Sequence, residues 1–151
     1  MSAPMQTTTK GVGQYIMLRA YDQDFATDIM MVREIRGWSN TTAMPDTVDY
    51  VRGVVNLRGQ VLPVIDLRAR MGGGLTDVKT STVIVVVDTP ARTIGLVADA
   101  VLDILTISED QIQEVPDVLH RNENAYINGV AVIDGKMVTM LDIGQLVSSL
   151  H

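Results

Sequence analysis

Displaced by 76 residues, the chain falls on itself. "YVRGVVNLRGQVLPVIDL" (Tyr50–Leu67) matches "YINGVAVIDGKMVTMLDI" (Tyr126–Ile143) without a gap. Tyr, Gly, Val, Gly and Asp are identical, and most other pairs exchange one aliphatic residue for another. At an offset of 69, "FATDIMMVREI" (Phe25–Ile35) matches "IGLVADAVLDI" (Ile94–Ile104), and between the two stretches "MPD" from Met44 corresponds to "VPD" from Val115. The changing offset places small insertions in loops. Two copies in the same order mean two similar units, whereas a solenoid needs at least three stacked repeats.

Each copy reads as β. An apolar strand opens it, Gln14–Asp22 in one copy and Ser81–Asp88 in the other, and turn residues follow at Asp22–Asp24 and Asp88–Arg92. Phe25–Ile35 and Ile94–Ile104 are each long enough for two short strands with a brief helical or bent link. A Pro-Asp pair then starts a short helical or irregular segment, and a hairpin closes the copy. About five short strands joined by tight turns suit a small closed barrel, because closure removes exposed edges. A barrel of about 60 residues is marginal alone, so two would share a core. The expected architecture is all-β, with two similar five-stranded barrel subdomains formed mainly by about 14–74 and 78–143. Strand or helix exchange between them is allowed for, and a short helix ends the chain.

Composition narrows the function classes. Only 4% of residues are aromatic, so the core rests on Val, Ile, Leu and nine Met. The absence of Cys excludes a disulfide scaffold, a thiolate metal site and a Cys nucleophile. Residues 1–13, "MSAPMQTTTKGVG", lack the apolar stretch of a secretory signal and are expected to be flexible. The apolar run Val83–Val87 suits a buried strand and is far too short to span a bilayer. A net charge of −6, with one Phe and one Trp, argues against nucleic acid. Six of the twelve basic residues (Arg33, Arg36, Arg52, Arg58, Arg68 and Arg70) nevertheless fall between positions 33 and 70. That is either an uneven solvated surface or the mark of a partner.

One of those arginines is out of place. Asp134–Gly135 is a strong hairpin signal, because a type I′ turn needs positive φ at both central residues. The duplication puts Arg58–Gly59 at the same point, and arginine adopts positive φ less readily than aspartate. Either the turn type differs in the first copy, or the side chain is wanted for a contact. Asn56, a polar strand position where the second copy has Val132, adds to the question.

No catalytic constellation is visible. His120 and His151 have no matching metal or triad spacing, and Gly72–Gly74 lacks the lysine of a P-loop and reads as a flexible connection. Asp66 and Asp142, equivalent in the two copies, read as strand-end structural residues more readily than as an acid–base pair. No catalytic residue, metal or cofactor is expected.

"MVREIRGW" (Met31–Trp38), Tyr50–Arg68 and "TIGLVADAVLDILTIS" (Thr93–Ser108) closely resemble the CheW family of chemotaxis coupling proteins, from about Gln14 to the C-terminus. The pattern Asn-Leu-Arg-Gly, three residues, Pro, two residues, Asp-Leu-Arg, starting at Asn56, is specific to such domains. The resemblance implies SH3-like barrels and a non-catalytic adaptor. It would be cytoplasmic, monomeric when alone, and recruited to membrane-associated receptor arrays without inserting in the membrane. Its implied partners are the cytoplasmic hairpin tip of a methyl-accepting chemoreceptor, taken as a helix in a groove, and the regulatory domain of a CheA-type histidine kinase. Carried over by position, the receptor-facing residues are Val32, Glu34, Gly53, Asn56, Arg58 and Gly95. Kinase contacts are Gly59, Thr82, Gln113 and Val118. Family members carry a basic and an aromatic residue where this chain has Gln113 and Val118, so the second kinase contact, which closes rings, is expected to be weaker or to use other residues. The alternatives are an adaptor in a receptor–kinase pathway other than motility, a self-assembling β-barrel scaffold, and a carboxylate hydrolase built on Asp66 and Asp142.

Overall fold

The computed structural model describes residues 11–115 and 126–148. Segments rich in Val, Ile and Leu, some alternating with polar residues and others apolar throughout such as Val83–Val87, form eleven strands among the described residues. They are β1 (Val12–Ala20), β2 (Gln23–Asp28), β3 (Val32–Gly37), β4 (Val51–Leu57), β5 (Gln60–Asp66), β6 (Val83–Asp88), β7 (Thr93–Ala98), β8 (Ala100–Ser108), β9 (Ile112–Gln113), β10 (Ile127–Ile133) and β11 (Lys136–Leu141). Among the described residues one short α-helix follows the last hairpin of each copy, α1 (Leu67–Arg70) and α2 (Ile143–Ser148). β1 starts at Val12 because Val12 pairs with Ser108 across β8.

The strands form two sheets, one in the order β3-β6-β7-β5-β4 and one in the order β8-β1-β2-β11-β10-β9. One sheet has six strands where five were expected, because Ile112–Gln113 pairs briefly with β10. The duplication is visible in the register. β4 and β5 pair Val51 with Ile65 and slip before Gly53; β10 and β11 pair Ile127 with Leu141 and slip before Gly129. The parallel contacts agree too: Val64 lies opposite Gly95, and its equivalent Met140 lies opposite Ala26.

The copies trade their first hairpins. β1–β2 joins the second copy's β8 to β11, and β6–β7 joins the first copy's β3 to β5. The chain therefore crosses between sheets at two equivalent points. At the first, β2 leads to β3 through a 3-10 turn at Ile29–Met31, whose start is capped by the Asp28 side chain accepting from the Met30 N–H. At the second, only Asp99 separates β7 from β8. The core that results draws on both copies: Leu18, Phe25, Ile65, Leu67, Leu96 and Leu146 are buried in one cluster. Each such apolar side chain contributes about 1.5–3 kcal/mol on burial, which is how two units too small to stand alone become stable.

The connection at Gly72–Gly74, expected to be loose, is anchored. Arg68 Nε donates to the Gly73 carbonyl at 2.8 Å, and Gly73 packs so closely on the Tyr21 ring that a Cβ there would meet it at 2.6 Å.

Candidate functional site

The β4–β5 hairpin answers the question raised by its arginine. Arg58 and Gly59 have φ of 51° and 89°; Asp134 and Gly135 have 51° and 80°. The two turns are the same. The arginine therefore accepts a left-handed backbone that aspartate adopts more readily, and its side chain makes a contact that aspartate could not. Its Nη2 donates to Glu34 Oε1 on β3. Asn56 is explained as well, since its Oδ1 accepts from the Gly59 N–H at 2.9 Å and closes the turn from within. Val132 can make no such bond.

This ion pair joins β3, one edge of the five-stranded sheet, to the tip that follows β4, the opposite edge. The sheet curls onto itself there, and beyond β3 Thr42 pairs with Val54 through two backbone hydrogen bonds of 2.9 Å. The hydrogen bond from Arg58 holds the Glu34 carboxyl below its ordinary value, against desolvation that raises it and with help from the charges of Arg58, Arg36 and Arg33. Arg58 in turn is raised above its ordinary value by Glu34. Its side chain is 67% exposed.

Of the expected receptor-facing residues, Val32 and Glu34 lie on β3, and Asn56 and Arg58 lie at the tip that Glu34 touches. Gly53 lies at the β4 bulge with φ of 136°, where a Cβ would approach the Thr42 carbonyl oxygen to 2.1 Å. Gly95 is buried in β7, where a Cβ would meet Ile84 Cγ2 at 2.8 Å. Both glycines have internal reasons for being glycine.

The expected kinase contacts are dispersed. Gly59 is at the exposed tip. Thr82 is 1% exposed and lies beside Trp38, past the far end of β3; its hydroxyl accepts from the Lys79 N–H at 2.8 Å. Gln113 is exposed on β9 in the other sheet. Val118 lies outside the described residues, as do His120 and His151.

The duplicated aspartates do the same local work. Asp66 accepts from the Ala69 N–H and Asp142 from the Gln145 N–H, each at 3.1 Å, at the start of the helix that follows. Asp66 is fully buried and also takes Arg52 Nη1 at 2.8 Å and both the N–H and the hydroxyl of Thr76 at 2.9 Å. Its lone pairs are spent on structure. A cavity of about 580 Å3, lined by Tyr15, Asp28, Met31, Glu109, Met140 and Asp142 among others, contains none of the expected receptor or kinase contacts, and of the two duplicated aspartates only Asp142 borders it.

Beside the Glu34–Arg58 pair is a polar group that the duplication gave no means of finding. Arg33 forks onto Asp88 and reaches Gln60 and Thr93. Only the general crowding of arginines between positions 33 and 70 signalled it.

With a bulged edge strand, an arginine-bearing tip and exchanged hairpins in view, the chain can be set beside known proteins. The family model described as the CheW-like domain matches residues 14–151. The chain belongs to the CheW family. Its similarity to a chemotaxis protein CheW of Rhizobium meliloti is 42% identity over 141 residues, covering 93% of this chain and 91% of the relative. A CheW of Klebsiella aerogenes is 32% identical over 91% of this chain and 84% of its own length. Among solved structures, the scaffolding protein TtCheW from Thermoanaerobacter tengcongensis superposes with a TM-score of 0.78 at 29% identity, covering 85% of this chain and 83% of that one.

Proposed function

We propose that this CheW-family chain is a non-catalytic chemotaxis adaptor that couples the cytoplasmic hairpin tip of a chemoreceptor to the regulatory domain of a CheA-type histidine kinase. It would work in the cytoplasm, at membrane-associated arrays. The observation that carries the reading is Arg58. It stands on a turn whose backbone suits aspartate better, it is mostly exposed, and Glu34 engages it through Nη2. A guanidinium has five donors in a fixed fork, so Arg58 can bind an acidic or amide group on a partner without leaving Glu34. Val32 adds an apolar contact on the adjoining strand.

Calorimetric titration of this protein against a receptor cytoplasmic hairpin and against a kinase regulatory domain tests the reading. Binding to both is expected, with Arg58→Ala weakening only the receptor. An unchanged receptor affinity in that variant would remove Arg58 from the interface. For the second kinase contact, replacing Gln113 and Val118 by charged residues should suppress the remaining ring closure; rings that assemble as before would overturn that assignment.

A further inference from the structure

Two arginines flank the same tip and are used in opposite ways. Arg58 is mostly exposed and makes one ion pair. Arg33 is 38% exposed, and each of its guanidinium nitrogens has a partner. Nε and Nη2 form a fork on the Asp88 carboxylate at 3.0 and 2.9 Å. Nη1 donates to Gln60 Oε1 at 3.1 Å, and Nη2 also reaches Thr93 Oγ1 at 3.5 Å. The Thr93 hydroxyl donates to Asp88 in its turn.

The placing of these partners matters. Asp88 and Thr93 face each other at the end of the β6–β7 hairpin, and Gln60 faces Leu57 at the base of the β4–β5 tip. From β3, Arg33 therefore holds both hairpins. Without the bond to Gln60, the side-chain tie from β3 to the tip among the described residues would be the Glu34–Arg58 pair alone. That pair involves the very arginine a partner must engage.

We infer that Arg33, acting through Gln60, is a positioning residue for receptor recognition: it fixes the β4–β5 tip against β3 and so sets where Arg58 stands. The inference rests on the receptor-facing reading of Arg58. The physical benefit is preorganisation, because ordering a long side chain at an interface costs affinity unless it is already ordered in the free protein.

The test uses the full-length chain with Gln60→Ala, alone and combined with Arg58→Ala. Gln60 is exposed, so its truncation leaves the core untouched. The first readout is the NMR titration of the Glu34 carboxyl, which faces Arg58, Arg36 and Arg33. All three charges survive in Gln60→Ala, so an upward move reports that Arg58 has lost its fixed place. The second readout is calorimetric affinity for the receptor hairpin. It should fall about three- to tenfold, as for the loss of one hydrogen bond, and should not fall further when Arg58→Ala is already present. Arg33→Lys, which keeps the charge and loses the fork, should reproduce both effects.

An unmoved Glu34 titration overturns the inference. So does an equal loss of affinity with and without Arg58, because Gln60 would then act by a contact of its own. A moved titration with a receptor hairpin that binds no form of the protein keeps the clamp and removes the receptor reading.

Discussion

Arg52 and Asp66 show where the crowded arginines of residues 33–70 are spent. Arg52 donates to Asp66 and to the Thr76 carbonyl and stacks on Trp38 at 4.7 Å; Arg68 covers the Tyr21 ring at 5.0 Å. Arg70 lies between Tyr50 and Tyr126, the equivalent tyrosines of the two copies, at 5.0 and 4.5 Å. Three of the six crowded arginines, Arg52, Arg68 and Arg70, are thus turned inward onto rings and a carboxylate, while Arg33 and Arg58 stand exposed at the five-stranded sheet's edge contact. Identical residues have also diverged in importance. Asp66→Ala would leave Arg52 without its buried counter-charge and should cost about 3–5 kcal/mol. Asp142→Ala removes a helix-start hydrogen bond and should cost about 1 kcal/mol. Urea unfolding of the two variants measures the difference, and equal losses would contradict the structural account of Asp66. Both aspartates were legible as strand-end residues. The burial of one of them was not, because its partner Thr76 lies in a segment that has no counterpart in the duplication.

The hairpins are where element-level reading was strongest and where it stopped. Matching Arg58–Gly59 to Asp134–Gly135 located the anomaly, and the strand register followed the alignment residue for residue. Glu34 could be paired with Arg58 only in three dimensions, since the contact closes a sheet between its two edges. The link between Phe25 and Ile35 is helical as read, at Ile29–Met31, whereas its equivalent shrinks to Asp99. Replacing Asn56 by Val, the residue of the second copy, should free the Gly59 amide. Faster hydrogen exchange at Gly59 is expected, with a stability loss of about 0.5–1.5 kcal/mol at most. Acid should loosen the same end of the sheet. Glu34 is held below its ordinary range by the bond from Arg58, and Asp88 by the bond from Thr93 and then by Arg33. Carboxyls of this kind bind protons more readily in the unfolded chain, so their contribution is present above roughly pH 4 and is lost as pH falls through the lowered folded values. Stability of the wild type, followed by the single Trp38, should therefore decline more steeply with acid than that of Glu34→Gln. Parallel curves would deny the pair any role.

At the scale of the molecule, the halves of the sequence are not the halves of the structure. Periodicity finds strands and repetition finds copies, but neither says which hairpin lies in which sheet, because those pairings join residues far apart in the chain. One consequence can be tested by cutting. A protease site engineered between Asp77 and Val78, both exposed, would separate β1–β5 from β6–β11. Each fragment owns strands in both sheets, so the cleaved protein should elute as one particle until denaturant is added. Fragments that part under native conditions would contradict the exchange. The two crossings, at Ile29–Met31 and at Asp99, carry a mechanical implication. Drawn apart, the two sheets would load a pair of short covalent struts in parallel, one a single residue and the other a three-residue turn that can lengthen by only about 4 Å before it is fully extended. Stretched from opposite sheets, the molecule should therefore yield in one abrupt step, after at most that small extension.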